Sequence, residues 1–132
     1  MLLPMKKLLA LLLLSPLAFA DSFNFKDYSG DYSVVIKDYY GDYSIVFKDY
    51  YGDYSVVVKE GDCFSADFSI VIKDYYGDYS VVIKDYYGDF SVVIKDYYGD
   101  HTVCVPSGSS EEQIKEYVAA AITVYVANLD DE

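Results

Sequence analysis

The chain has 132 residues, with 22 Asp and Glu against 10 Lys, no Arg, and a net charge of −12. A surface of that sign is repelled by phosphate and by anionic head groups, which excludes nucleic acid and anionic membrane as partners. Hydrophobic residues make up 53% of the chain, and 17 of its residues are tyrosine, so the charge also keeps an aromatic chain soluble.

Residues 1–20 read as a signal peptide. Lys6 and Lys7 precede the apolar run Leu8–Leu14, and Ala18-Phe19-Ala20 forms an A-x-A cleavage site before Asp21. The apolar run is shorter than the roughly 20 residues that span a bilayer. The expected product is exported, to the periplasm, the outer surface or the medium. Losing Lys6 and Lys7 takes the net charge to −14.

Residues 21–105 are read as a repeat domain of eleven-residue units. In register they are FKDYSGDYSVV (25–35), IKDYYGDYSIV (36–46), FKDYYGDYSVV (47–57), IKDYYGDYSVV (72–82), IKDYYGDFSVV (83–93) and IKDYYGDHTVC (94–104). One irregular unit, VKEGDCFSADFSIV (58–71), is three residues longer. Tyr-Ser-Val-Val-Ile-Lys has the β-branched and aromatic composition of a strand. Asp-Tyr-Tyr-Gly-Asp supplies the reversal, with Gly free to adopt positive φ.

The fold class expected is therefore mainly β, with one helix (α+β). The strands form either a meander or a two-layer β-solenoid. If Tyr40-Gly41 is a two-residue hairpin loop, Val34 opposes Phe47 and Ile36 opposes Ile45, so the apolar face matches from strand to strand. In the solenoid, Asp columns stack about 4.8 Å apart and repel, which tips the balance to the meander. A single parallel sheet is set aside, because each connection looks too short for a crossover.

Residues 106–110 form a linker, and 111–129 an amphipathic helix. Ile114, Tyr117, Val118, Ala121, Ile122, Tyr125, Val126 and Leu129 fall at helical spacing. Ser109 or Ser110 can cap it, and Glu111, Glu112 and Gln113 suit its first turn. Its apolar face is expected to cover one face of the sheet, the alternative being docking on another subunit.

Catalytic chemistry is not expected. The sole histidine, His101, stands where other units carry Tyr or Phe, and no phosphate loop or Cys/His metal spacing is present. The chain is read as non-enzymatic, with no cofactor. Paired carboxylates such as Asp38 with Asp42 and Asp74 with Asp78 are weak calcium candidates, against a plain role in shaping turns. Cys63 and Cys104 are the only cysteines, so export favours a disulfide between them. The paired tyrosines Tyr39–Tyr40, Tyr50–Tyr51, Tyr75–Tyr76, Tyr86–Tyr87 and Tyr97–Tyr98 are the candidate binding surface. Rows of such rings stack on sugars or on other surfaces, provided they reach solvent together.

A leader followed by short aromatic β-units over 25–105, 22 residues when counted in twos, resembles curli-type bacterial amyloid subunits in organisation. The Gln, Asn and Ser-Gly positions of those repeats are not matched here. The resemblance implies a structural, surface-associated protein. Its expected partner is itself or a cell-surface component, through self-association or adhesion. The second reading is a monomeric periplasmic module that binds carbohydrate or peptide on its tyrosine rows.

Overall fold

The computed structural model describes residues 22–61 and 66–130. The Tyr-Ser-Val-Val-Ile-Lys half of each unit is a strand: β2 (Tyr32–Lys37), β3 (Tyr43–Lys48), β4 (Tyr54–Glu60), β5 (Phe68–Lys73), β6 (Tyr79–Lys84), β7 (Phe90–Lys95) and β8 (His101–Val105), preceded by β1 (Ser22–Phe25). A helix, α1 (Glu111–Asp130), follows. The sheet is a closed barrel in the order β1-β5-β2-β6-β3-β7-β4-β8, and every pairing is parallel. The chain circles the barrel twice. β1 to β4 take alternate places on the first pass, and β5 to β8 fill the gaps on the second.

The register explains how short connections manage this. Equivalent residues are offset by two at seven seams: Val34 pairs with Tyr79, not with its equivalent Val81, which pairs with Tyr43. At the β8–β1 seam the equivalents Val103 and Phe23 pair directly. The stagger around the barrel is thus fourteen residues, seven seams of two. At about 3.3 Å per residue and about 4.8 Å between strands, this tilts the strands by about 50° and sets a radius of about 10 Å. A six-residue strand, about 20 Å long, then advances about 15 Å around the wall, the width of two strands at that tilt. The chain ends level with the next place but one. The connection has only to descend about 13 Å outside the intervening strand, which five residues can span.

The irregular unit serves the change of pass. A two-place step from β4 would land on β1, so the chain must step three places to enter between β1 and β2. The unit at that step, 58–71, is the one that is three residues longer than the rest.

Inward and outward residues alternate along each strand. The inner positions Phe23, Val34, Ile45, Val56, Ile70, Val81, Val92 and Val103 form a fully buried layer, one from each strand. Helix α1 fills the space they enclose. From Val118 to Ala127 every residue but Tyr125 is buried, and at about 100° per residue that run covers all sides of the helix. A wall about 10 Å from the axis is at helix-packing distance on every side. The helix runs antiparallel to the strands. Near its start Tyr117 meets Phe25 at 4.6 Å and Lys115 lies over Phe47. Near its end Tyr125 packs on His101 at 4.3 Å, and Asn128 accepts a 2.8 Å hydrogen bond from the Tyr32 hydroxyl. Ser110 and Gln113 form a capping box at its entrance.

Three expectations are corrected. The sheet is neither a meander nor a solenoid but a parallel barrel. The crossover argument failed because sequential strands are not neighbours, and the steep tilt supplies most of the lateral travel. β2 and β3 are separated by β6, so Val34 does not oppose Phe47. The helix does not lie on one face of a sheet: the wall encloses it. The leader 1–20 and Cys63 lie outside the described residues.

Candidate functional site

The connection between β2 and β3 shows how the outer surface is built. It crosses the outside of β6. A Cβ at Gly41 would lie 3.2 Å from the Val81 backbone and 3.1 Å from a Val82 methyl. The glycine is there for close approach. Positive φ is not the reason: among the described glycines only Gly61 and Gly108 adopt it. Its equivalents press in the same way on β5, β7, β2, β3 and β4. The outward valines, such as Val35 and Val82, are buried beneath these straps.

The next residue locks each strap. The Asp42 N–H donates to Ser80 Oγ at 2.8 Å, and the Ser80 N–H donates to Asp42 Oδ2 at 3.0 Å. Reciprocal pairs of the same kind join Asp31 to Ser69, Asp78 to Ser33, Asp89 to Ser44, Asp53 to Ser91 and Asp67 to Ser22. Asp100 donates its N–H to Ser55. These clasps lie on the seven offset seams. Sequence reasoning missed them, although an Asp two residues before a Ser recurs at the start of β2 to β7.

With Gly and the second Asp committed to the wall, the rest of the turn projects outward. The ten paired tyrosines are 79–90% exposed, and Tyr28, which the sequence reading did not single out, joins them at 89%. The remaining six, Tyr32, Tyr43, Tyr54, Tyr79, Tyr117 and Tyr125, pack against the core. The repeat therefore sorts its tyrosines by position, inward at the strand start and outward at the turn. Between neighbouring connections lie open grooves of roughly 460 to 570 Å³. One is lined by Tyr39 and Tyr40 on one side, Tyr86 and Tyr87 on the other, with Asp38, Lys84 and Asp85 between. The same set recurs around this part of the belt, each groove offering aromatic faces, carboxylates and one ammonium.

The paired carboxylates do not converge. Asp42 and Asp78 are held by Ser80 and Ser33, while Asp38 and Asp74 face the grooves. No group of three or more His, Cys, Asp or Glu that could hold a metal occurs among the described residues. His101 takes the inward position of its unit and is 2% exposed, ringed by Tyr125, Tyr54 and Phe23. Burial pushes its pKa below the ordinary 6.5, and neighbouring Asp100 opposes that in part. Cys104 occupies on β8 the outward position that Val82 holds on β6. It is buried.

No protein-family model matches the chain, and no curated protein is detectably similar to it. The surface is therefore read from its own chemistry.

Proposed function

We propose that the chain is an exported, surface-associated structural protein that acts by adhesion, with the tyrosine belt as its contact surface. One observation carries this reading: the ten paired tyrosines are 79–90% exposed while the core is filled without them. Folding gives no reason to place aromatic rings there, whereas contact with another surface does. Curli-type association extends a sheet from a free strand edge. Each of the eight described strands already has two neighbours, so the route to self-association that fits this barrel is side chain to side chain, across the belt. A Cys63–Cys104 disulfide belongs to the same proposal. In strand order β8 lies between β4 and β5, and Cys104 stands on it in the outward position that regular turns strap elsewhere, so a bond from the unit carrying Cys63 would replace the glycine contact of those turns. Mass spectrometry of the oxidised protein tests it, and two free thiols would overturn it.

The grooves favour a second reading, a monomeric carbohydrate-binding module, since sugars use stacked rings together with carboxylate and ammonium partners. Co-sedimentation of the mature protein with insoluble polysaccharide, beside ultracentrifugation over a concentration series, separates the two. Adhesion predicts concentration-dependent association that Tyr75→Ser with Tyr76→Ser and their equivalents weakens. A monomer at all concentrations that still binds polysaccharide selects the module. A monomer that binds nothing defeats both.

A further inference from the structure

Resting on the adhesion reading, we propose that the belt tyrosines are sites of oxidative cross-linking, which couple one barrel covalently to another through dityrosine. The argument begins with what else could be oxidised. The chain has no tryptophan, and both methionines precede residue 6. Cys104 is buried, and the sole histidine is shut inside the lumen. The usual sulfur sinks for oxidants are thus missing from the described outer surface. Tyrosine is what an oxidant in solution meets.

Position supports the same conclusion. The phenol edges must approach those of a second molecule, and side chains 79–90% exposed on projecting turns can do so. The inward tyrosines cannot, being packed against the core. The turns are distributed around a closed ring, so one barrel carries coupling positions facing several directions. A unit with more than two such positions yields a branched network, where a unit with two yields only a chain. The charge of the mature protein opposes close approach, but that repulsion fades within about 8 Å at physiological salt.

The chemistry balances with a peroxidase and hydrogen peroxide as the oxidant. Each of two phenols loses one electron and one proton, giving two phenoxyl radicals. These join through a carbon–carbon bond between ring positions ortho to the oxygens, and the two ring hydrogens then move to the oxygens to restore the phenols. The two electrons and two protons released reduce one peroxide to two waters.

The test uses the mature, disulfide-intact protein with a haem peroxidase and hydrogen peroxide, read by dityrosine fluorescence, by multimers that survive SDS, and by mass mapping of the coupled residues. The wild type is expected to form covalent multimers joined at belt positions. An eleven-site Tyr→Phe variant (Tyr28→Phe, Tyr39→Phe and their nine equivalents) should keep the circular dichroism of the barrel and lose both signals. A Tyr→Ser set at the same sites is the second variant, should exposed Phe cause aggregation. Coupling confined within single chains, coupling mapped to inward tyrosines, or multimers undiminished in both variants would overturn the proposal. Because the adhesion assay contains no oxidant, its outcome is independent: adhesion without coupling removes this inference alone, and loss of adhesion with coupling intact removes the other.

Discussion

Six connections in this barrel step two places along the closed sheet, and the one between β4 and β5 steps three. The six regular turns use the same three devices: a glycine pressed on the strand beneath, an aspartate clasped to a serine, and tyrosine left outside, two in five of the turns and Tyr28 alone in the first. The irregular connection has none of the tyrosines, begins at a glycine with φ of 106°, and contains one of the two cysteines. The contrast teaches that repetition alone does not interleave two passes. An exact two-place step would bring the fifth strand to the place already held by the first. A departure from the repeat is what puts the second pass into the gaps of the first.

The strongest way to break that contrast is to make the units alike. Deleting Phe64, Ser65 and Ala66 restores an eleven-residue spacing and keeps Cys63. The chain should then fail to reach its three-place step, with loss of cooperative thermal unfolding. Three residues inserted after Tyr40 only lengthen a surface loop and should cost under about 1 kcal/mol. A deletion variant with wild-type melting would show that the extra residues are not needed for interleaving.

The two kinds of glycine give a smaller, sharper test. Gly41→Ala drives a Cβ against backbone that cannot move aside, and should destabilise by about 1–3 kcal/mol. Gly61→Ala meets nothing within 4 Å but must hold a positive φ, costing about 1 kcal/mol. Denaturant melts should rank them in that order. Of the two aspartates in a turn, Asp42→Ala leaves the Ser80 N–H without its acceptor and should cost on the order of 1 kcal/mol. Asp38→Ala, on the solvent side, should stay within about 0.5 kcal/mol.

The smallest effect belongs to the β8–β1 seam, which lacks both the offset and, among the described residues, the clasp. His101, which begins β8 and meets the Phe23 ring of β1, has its pKa lowered by burial. The unfolded chain therefore takes up the proton more readily than the folded one. The stability His101 contributes is complete above its ordinary 6.5 and is lost as the pH falls from there through the lowered folded value. His101→Phe, which matches Phe68 and Phe90 of other units, should flatten the melting profile across that window. Parallel profiles for the two proteins would mean the histidine is not held neutral.

Strands, helix and turns were readable from the residues, because β-branched alternation and helical spacing are local signals. The barrel was not, since its evidence is spread over the chain. One clue was present: the stretch Tyr117–Ala127 has no charged residue on any face. A helix apolar all round is enclosed, and one apolar stripe is what a single sheet face requires. Listing only the residues that fitted a stripe concealed Ala119, Ala120 and Val124, which fill the other sides. The exposed tyrosines were legible as candidates because Asp-Tyr-Tyr-Gly-Asp lies outside the strand pattern. The cause of the glycines was not legible: Gly41 presses on Val81 and Val82, and Gly77 on Ser33 and Val35, and close approach to a strand so remote in the chain leaves no trace in local sequence.

That separation also governs how the molecule can be made. Each hydrogen-bonded neighbour of β2, β3 and β4 belongs to the second pass, so no strand of the first pass has a partner until the chain is more than half synthesised. There is no hairpin to nucleate folding, and contacts this remote in sequence place the rate at or beyond the slow, seconds end of the range for small domains. The twenty residues of α1 must also be present before the wall has anything to close around. A nascent chain of this kind stays unfolded by default, the condition in which a polypeptide can be threaded through a narrow export channel before it acquires a shape too wide to pass.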